Sequence, residues 1–155
     1  GLLCAAKAME LEARGEQVCM SAASIAKRLS VPSSYCHGDS VRRRFPKAGP
    51  REEAYGGFPN VRMALDMLLS GRTGEEALLK LMNVMDDSNV LWRGGEQGLE
   101  FIKKESAKIL NAPDKERRAM LLEFNDECIR RRLSPGGAAD ILAAALFLQS
   151  VEPGS

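Results

Sequence analysis

Apolar residues recur at the spacing of an amphipathic helix along most of the chain, whereas the two-residue alternation typical of strands is nearly absent. One clear stripe begins at Val61 and stops at Gly71, a residue type that commonly ends a helix. A second stripe begins near Glu75, and a third begins near Asp114, just after a proline. The pattern predicts an all-α fold, a compact multi-helix bundle. Further helices are expected over residues 2–12, 21–29 and 99–109, and another is considered over 35–45.

The C-terminal stretch is different in kind, because residues 138–148 are apolar on all sides except at Asp140. Ser134 can cap this helix, and Pro135 suits its first turn. We therefore expect a buried apolar C-terminal helix at the centre of the bundle. Residues 45–59, which contain three prolines and three glycines, are expected to form one long irregular connection.

Length and composition fit a single helical domain over residues 1–155, with an apolar fraction of 45% to supply its core. The 22 basic and 21 acidic side chains nearly cancel, so neither a nucleic acid nor a membrane partner is expected. The longest apolar run, residues 141–148, is shorter than the roughly 20 residues that cross a bilayer. The four cysteines include no C-x-x-C pair, which indicates reduced thiols and a cytoplasmic protein.

The strongest candidate for chemistry is the cluster of Asp86, Asp87, Asn89 and Arg93. If the preceding helix continues through residue 90, Asp86, Asn89 and Arg93 share one face of it. Carboxylate and amide oxygens suit Mg²⁺, and an arginine fork suits a phosphate. The alternative is structural: Asp87 or Ser88 caps a helix, Arg93 forms a surface ion pair, and the glycines that follow form an ordinary turn. The residues alone leave both interpretations open.

Glycines and another carboxylate lie further along the chain. Gly94, Gly95 and Gly98 allow close backbone approach where the next helix is expected to begin, and helix N-termini attract anions. Asp140 lies in the first turn of the apolar last helix, where it either meets a partner or a cation, or only stabilises the helix dipole. The Ser134-Pro-Gly-Gly turn ahead of it is a second place where an anion could bind.

Two rival interpretations rest on the first third of the chain. Residues 24–33 resemble the opening of a helix-turn-helix, but the near-neutral charge and Gly38 in the would-be recognition helix disfavour DNA binding. Cys36 beside His37 could supply a thiol nucleophile, although adjacent residues rarely face each other. His37 is the only histidine, which disfavours a zinc site.

Four polar segments occur in an order that carries more information than any one of them. The first is His-Gly-acid at residues 37–39, and the second is Gly-x-Arg-x-Glu-Ala followed by Gly-Phe-Pro at 49–59. The third is Asp-Ser-Asn followed by Arg-Gly-Gly at 87–95, and the fourth is Ser-Pro-Gly-Gly-x-Ala-Asp at 134–140. Together they resemble the triphosphoribosyl-dephospho-CoA synthase family, in which threonine is usual at the place of Ser88.

The resemblance implies a transferase that moves the triphosphoribosyl group of ATP to 3′-dephospho-CoA and releases adenine. Its product would be the prosthetic-group precursor for the acyl carrier protein of citrate lyase or of malonate decarboxylase, and the sequence leaves these two open. Family members carry a further region toward the N-terminus, so we expect the chain to be the C-terminal half of a longer synthase. The alternative is a nucleotide-binding subunit that is inactive without an N-terminal half or a second subunit.

The resemblance also implies roles for individual residues. Breaking the N-glycosidic bond of ATP builds positive charge on the ribose, and a nearby carboxylate can stabilise that charge or take up the acceptor proton. The expected catalytic residue is Asp140 or Glu53. The residues expected to bind the substrates are Arg51, Asn89, Arg93 and His37, and those expected to hold Mg²⁺ are Asp86 and Asp87.

Overall fold

The computed structural model of the chain describes residues 1–9, 14–29 and 49–152. In these ranges the chain forms eight helices and no strand, which confirms the all-α prediction. In chain order the helices are α1 (Leu2–Met9), α2 (Gly15–Arg28), α3 (Pro50–Tyr55), α4 (Pro59–Leu69), α5 (Gly74–Val84), α6 (Ser88–Leu110), α7 (Asp114–Arg130) and α8 (Gly136–Ser150). Within the same ranges, no helix is both long enough and apolar enough to span a membrane.

The helices that the apolar stripes predicted begin and end at local signals. Pro59 starts α4 directly after Phe58, whose left-handed backbone (φ 57°) turns the chain into the helix. Gly71, with φ 86°, lies in the turn that follows α4. Thr73 caps α5 by accepting a hydrogen bond from the backbone N–H of Glu76, in a reciprocal capping box. These signals separate α4 from α5 within a few residues.

The core lies where α4, α5, α6 and α8 meet. α5 packs on α6, and α8 packs on both α4 and α5, while α1 and α2 pack on each other. α8 is apolar, as predicted, but within the described part of the chain it is buried along one side only. Ala138, Ala145 and Leu148 are buried, whereas Leu146 is 42% exposed. Fully buried side chains of the core include Val18, Val61, Leu81, Val90, Ile102, Ile109 and Leu148.

The polar cluster does not lie on one continuous helix, so the condition for a face shared by all its members is not met. α5 ends at Val84, and α6 begins only at Ser88. Asp87 has an extended backbone (φ −65°, ψ 116°) and is the N-cap of α6. Its capping preference outweighs the apolar periodicity that continues across the break. Asp86 therefore belongs to a loop, and Asn89 belongs to the first turn of a new helix.

Two expectations about irregular backbone are also corrected. The connection expected over residues 45–59 contains a short helix, α3, in its described part, and Pro50 suits the first position of that helix. The helix expected to begin after the glycines instead starts ahead of them. Gly95 interrupts it with φ 61° and ψ −160°, a conformation that is essentially restricted to glycine. α6 is thus two helical segments joined at Gly95.

Several sequence predictions concern residues outside the described ranges. These are the helix considered over 35–45, the end of the helix-turn-helix-like segment, Cys36 and His37. The helices predicted over 2–12 and 21–29 correspond to α1 and α2, although α2 begins earlier, at Gly15.

Candidate active site

Three of the four family-like segments meet at one cavity of about 480 Å³. α3 and the start of α4 line it from one side, and the loop before α6, the first turn of α6 and the first turn of α8 complete the wall. Its polar lining residues are Glu52, Glu53, Asn60, Asp86, Asp87, Ser88, Asn89 and Asp140. The segments at 49–59, 87–95 and 134–140 are therefore neighbours in space, whereas 37–39 lies outside the described residues.

Asp87 lies between two helix N-termini and is only 3% exposed. Its Oδ1 accepts hydrogen bonds from the backbone N–H groups of Asn89 (2.8 Å) and Val90 (3.3 Å), which caps α6. Its Oδ2 accepts a hydrogen bond from the backbone N–H of Ala138 (2.9 Å), in the first turn of α8. One carboxylate thus satisfies donors of two helices whose N-termini favour an anion. Of the structural alternative, the cap is confirmed and falls on Asp87. A metal-binding role for Asp87 stays a prediction.

Gly136 and Gly137 allow this close contact between α8 and α6. A Cβ on Gly137 would lie 3.0 Å from Oδ2 of Asp87 and 3.1 Å from its Cγ. A Cβ on Gly136 would lie 2.8 Å from Nδ2 of Asn89. A Cβ on Gly137 would require the buried Asp87 carboxylate to shift, whereas the exposed end of the Asn89 side chain can move away from a Cβ on Gly136. Each glycine of the fourth segment accommodates one polar side chain of the third.

Glu53 has a comparable place at the start of α4, where it is 7% exposed. Its Oε1 accepts hydrogen bonds from the backbone N–H groups of Asn60 (2.8 Å) and Val61 (3.1 Å). Its Oε2 accepts a hydrogen bond from Nδ2 of Asn60 at 2.7 Å. The spacing of this segment therefore places the carboxylate of Glu53, on α3, at the N-terminus of α4, which begins at Pro59. Both oxygens of Glu53 are already bonded.

Asp86, Asn89 and Asp140 are the predicted site residues that line the cavity and remain accessible. Asp86 is 49% exposed, and its Oδ1 pairs with Nζ of Lys103 at 2.6 Å. Asn89 and Asp140 are exposed in the first turns of α6 and α8. Sequence reasoning missed Lys103, and it missed Asn60 as the partner of Glu53. Lys103 lies 17 residues from Asp86, beyond any local spacing that links a loop to a helix.

Arg51 and Arg93 are not part of the described cavity wall. Arg51 is half-buried on α3, and Arg93 is exposed on α6, one turn beyond Asn89. Within the described residues, no lysine or arginine lines the cavity. The acidic residues of the wall are Glu52, Glu53, Asp86, Asp87 and Asp140. Such a wall favours a ligand group that carries or develops positive charge.

The part of the chain that the structure describes holds no preformed metal centre, and two of its three free thiols are buried. No group of three or more His, Cys, Asp or Glu there is arranged to hold a metal ion. Cys19 and Cys128 are buried free thiols, and burial raises the pKa of each to about 11. Both stay protonated near neutral pH, whereas a nucleophilic cysteine needs its thiolate.

Comparison with known proteins places the chain in a family. The model of the ATP:dephospho-CoA triphosphoribosyl transferase family matches residues 3–155, and the chain belongs to that family. One relative is the "probable 2-(5''-triphosphoribosyl)-3'-dephosphocoenzyme-A synthase" of Pseudomonas syringae pv. syringae, which is 38% identical over 99% of this chain and 58% of the relative. The "2-(5''-triphosphoribosyl)-3'-dephosphocoenzyme-A synthase" of Haemophilus ducreyi is 42% identical over 74% of this chain and 38% of the relative.

The chain spans less than two thirds of the length of these curated relatives, 58% in the case of the Pseudomonas protein. No solved structure matches it.

Proposed function

We propose that this protein transfers the triphosphoribosyl group of ATP to 3′-dephospho-CoA and releases adenine. The supporting observation is that three family-like segments, far apart in sequence, line one acidic cavity. The names of the relatives describe the product of the same reaction. Cytoplasmic location is part of the proposal, and it rests on the free thiols of Cys4, Cys19 and Cys128.

The proposed reaction exchanges one bond at the anomeric carbon of the ribose. The N-glycosidic bond to adenine breaks, and a bond to the 2′-hydroxyl oxygen of 3′-dephospho-CoA forms. The hydroxyl proton passes to a base, adenine leaves with the electron pair of the broken bond and takes up one proton, and the triphosphate stays on the product. Positive charge develops on the ribose as adenine departs, and an acidic wall stabilises such a transition state.

Asp140 is the proposed base. It lines the cavity and is exposed, so a substrate hydroxyl can reach its carboxylate. Glu53, the other candidate from the sequence, accepts three hydrogen bonds from Asn60 and Val61 and is nearly fully buried. The proposed role of Glu53 is therefore to fix α3 against the start of α4.

Mg²⁺ is proposed as the ion that accompanies the triphosphate. Asp86 is the better-placed ligand, because its carboxylate is half-exposed at the cavity. Asp87 already accepts three backbone hydrogen bonds, which leaves about one of the roughly four acceptor positions of a carboxylate. One or two carboxylates suffice for Mg²⁺ when substrate phosphates complete its shell, and the bound ion would neutralise phosphate charge beside an acidic wall.

The phosphates are proposed to lie toward the edge of the cavity. Arg51 and Arg93 lie on α3 and α6, the helices that supply the wall, but neither lines the cavity itself. Guanidinium groups bind phosphate oxygens in pairs, and Asn89 can add an amide donor from the first turn of α6. His37 stays a proposed substrate-binding residue, and it lies outside the described residues.

Adenine release tests this function directly. The full chain is incubated with ATP, Mg²⁺ and 3′-dephospho-CoA, and adenine and the triphosphoribosyl product are quantified by chromatography and mass spectrometry. We expect one adenine per product molecule, and neither in the absence of 3′-dephospho-CoA. Formation of ADP and phosphate without adenine, or no turnover at all, contradicts the proposal for this chain.

Two variants test the residue roles within that assay. Asp140→Asn is expected to lower kcat by about 100-fold or more, as expected for the loss of a general base. Asp126→Asn, an exposed carboxylate change on α7, is the matched control and should leave turnover unchanged. Equal activity of the two variants would exclude Asp140 as the base. Calorimetry with Asp86→Asn tests the metal assignment, which fails if Mg²⁺ and ATP affinities stay the same.

A further inference from the structure

We propose that Asp87 is a positioning residue, which sets where Asp140 lies relative to Asn89 by holding the N-termini of α8 and α6 together. The inference rests on the proposed function, because it concerns the alignment of the proposed base with a proposed substrate-binding residue. The observation behind the inference is that the buried carboxylate of Asp87 accepts hydrogen bonds from the first turns of both helices.

The bonds of Asp87 divide into a local part and a distant part. Oδ1 caps its own helix, α6, through Asn89 and Val90. Oδ2 reaches Ala138, which is 51 residues away in sequence, at 2.9 Å. The carboxylate and Ala138 are both buried, so water has little access to replace the bond if it is lost. The Oδ2 bond therefore ties α8 to α6 at this end of the bundle.

Gly137 shows that the backbone of α8 and the carboxylate of Asp87 are in close contact, so the carboxylate fixes how near α8 lies to α6. The backbone of Gly137 approaches the Asp87 carboxylate so closely that a Cβ there would lie 3.0 Å from Oδ2. Asp140 follows Gly137 by three residues, within one helical turn. A displacement at Gly137 therefore moves Asp140 with it. Catalytic groups are sensitive to such shifts, because a misplacement of about 1 Å can reduce a rate about 100-fold.

Two variants disturb the Oδ2 bond from opposite sides. In Asp87→Asn, the amide oxygen still accepts from Asn89 and Val90, but the amide NH₂ faces the N–H of Ala138, so two donors oppose each other. Gly137→Ala keeps the carboxylate and its charge and crowds the same bond from α8. Thr73→Ala is the matched control, because it removes the N-cap of α5 outside the described cavity wall.

The kinetic test measures adenine release by the full chain as a function of MgATP and of Mg²⁺ concentration. Both Asp87→Asn and Gly137→Ala are expected to lower kcat about 10- to 100-fold, with KM for MgATP and the half-saturating Mg²⁺ concentration within about twofold of the unmodified chain. Thr73→Ala should lower the unfolding midpoint and leave kcat unchanged. A rise of tenfold or more in the half-saturating Mg²⁺ concentration in Asp87→Asn would make Asp87 a metal ligand and overturn the proposal.

Amide hydrogen exchange on the unliganded chain separates this inference from the proposed function. Exchange at Ala138 and its neighbours in the first turn of α8 should accelerate at least tenfold in Asp87→Asn, while Val90 stays protected. Unchanged exchange at Ala138 would overturn the positioning role whether or not the chain releases adenine. If exchange at Ala138 is faster in Asp87→Asn but the unmodified chain releases no adenine, the bond is supported and only the proposed reaction is contradicted. Near-ultraviolet circular dichroism confirms folding, and Gly137→Ala substitutes if Asp87→Asn does not fold.

Discussion

Glu53 and Asp87 are two buried carboxylates at one cavity, and both accept hydrogen bonds from helix N-termini, yet they organise the chain over very different distances. Glu53 bonds to Asn60 and Val61, seven and eight residues away, and so fixes one turn between α3 and α4. Asp87 bonds both to its own helix and to Ala138, which is 51 residues distant. The first acid shapes a local connection, whereas the second joins two parts of the fold.

The partners of these two carboxylates also differ in their freedom to adapt. One donor to Glu53 is the side-chain amide of Asn60, which can rotate to present its oxygen instead of its nitrogen. All three donors to Asp87 are backbone N–H groups, which are held in place by α6 and α8. The comparison indicates that the tolerance of a buried acid to substitution depends on whether its donors can rearrange, and not on burial alone.

The largest effect on stability is expected from Asp87→Ala. This change leaves three buried or partly buried N–H groups without their acceptor and removes the cap of α6. The free energy of unfolding should fall by about 3 kcal/mol or more, measured by guanidinium denaturation monitored by circular dichroism. A loss below that of the Thr73→Ala cap deletion would show that the link between α6 and α8 adds nothing to a simple cap.

A paired isosteric comparison gives the next largest effect. Asp87→Asn should lower the free energy of unfolding by about 2 kcal/mol, because the backbone N–H of Ala138 cannot turn away from the new NH₂ group. Glu53→Gln should cost about 1 kcal/mol or less, because the Asn60 amide can flip and accept from the glutamine. Equal losses in the two variants would contradict the difference that we attribute to their donors.

A smaller effect is expected from filling the glycine contact. Gly137→Ala should destabilise the fold by about 1 kcal/mol, because its Cβ crowds the Asp87 carboxylate even though alanine favours the helix. Gly74→Ala is the matched control, since a Cβ there meets no atom within 4 Å at the start of α5. It should be neutral or stabilising by up to about 1 kcal/mol. If both changes stabilise the chain, the approach of α8 to Asp87 is looser than described.

The smallest effect is expected for a partly exposed carboxylate. Glu127 on α7 bonds to Arg130 and Arg131, and the Arg130 and Arg131 hydrogen bonds hold the pKa of Glu127 below its usual range. A lowered folded-state pKa stabilises the fold above the usual carboxylate pKa, and this stabilisation is lost as pH falls through the lowered value. Glu127→Gln should therefore lower Tm slightly at pH 7.

The pH dependence provides the control for that last prediction. The Tm difference between Glu127→Gln and the unmodified chain should shrink as pH falls toward 3. Glu123→Gln, an exposed change on the same helix, should show a smaller difference throughout. A Tm loss at pH 7 as large as that of Asp87→Asn would contradict the ranking of carboxylates by burial and by donor type.

The helices were largely predictable because their apolar stripes are local. The stripes from Val61, from near Glu75 and from Asp114 identified α4, α5 and α7. The break between α5 and α6 was left open, because apolar spacing runs across it and only the possible cap interrupts the helix. Helical periodicity reports which face is buried, and a local competition between cap and helix interior decides where the backbone breaks.

The composition of the site was predictable from the order of its segments, but its internal contacts were not. Sequence order grouped Glu53, Asp87 and Asp140, and all three line one cavity, while their roles stay predictions. Arg93 follows Asn89 by one turn, about 6 Å along α6, as a shared face requires, but it does not line the cavity. The bond from Asp87 to Ala138 depends on how α8 docks, which no local pattern specifies.

The glycine pair of α8 also restricts the order in which this sequence can change. Positions 87 and 137 are in contact, as are positions 89 and 136, so the size of one member limits the choice at the other. A larger residue at 137 becomes acceptable only after the carboxylate at 87 has shortened or turned away, and the reverse order passes through a crowded intermediate. In a library that varies all four positions, functional members should therefore be enriched in paired replacements, and the statistical coupling should join segments about fifty residues apart.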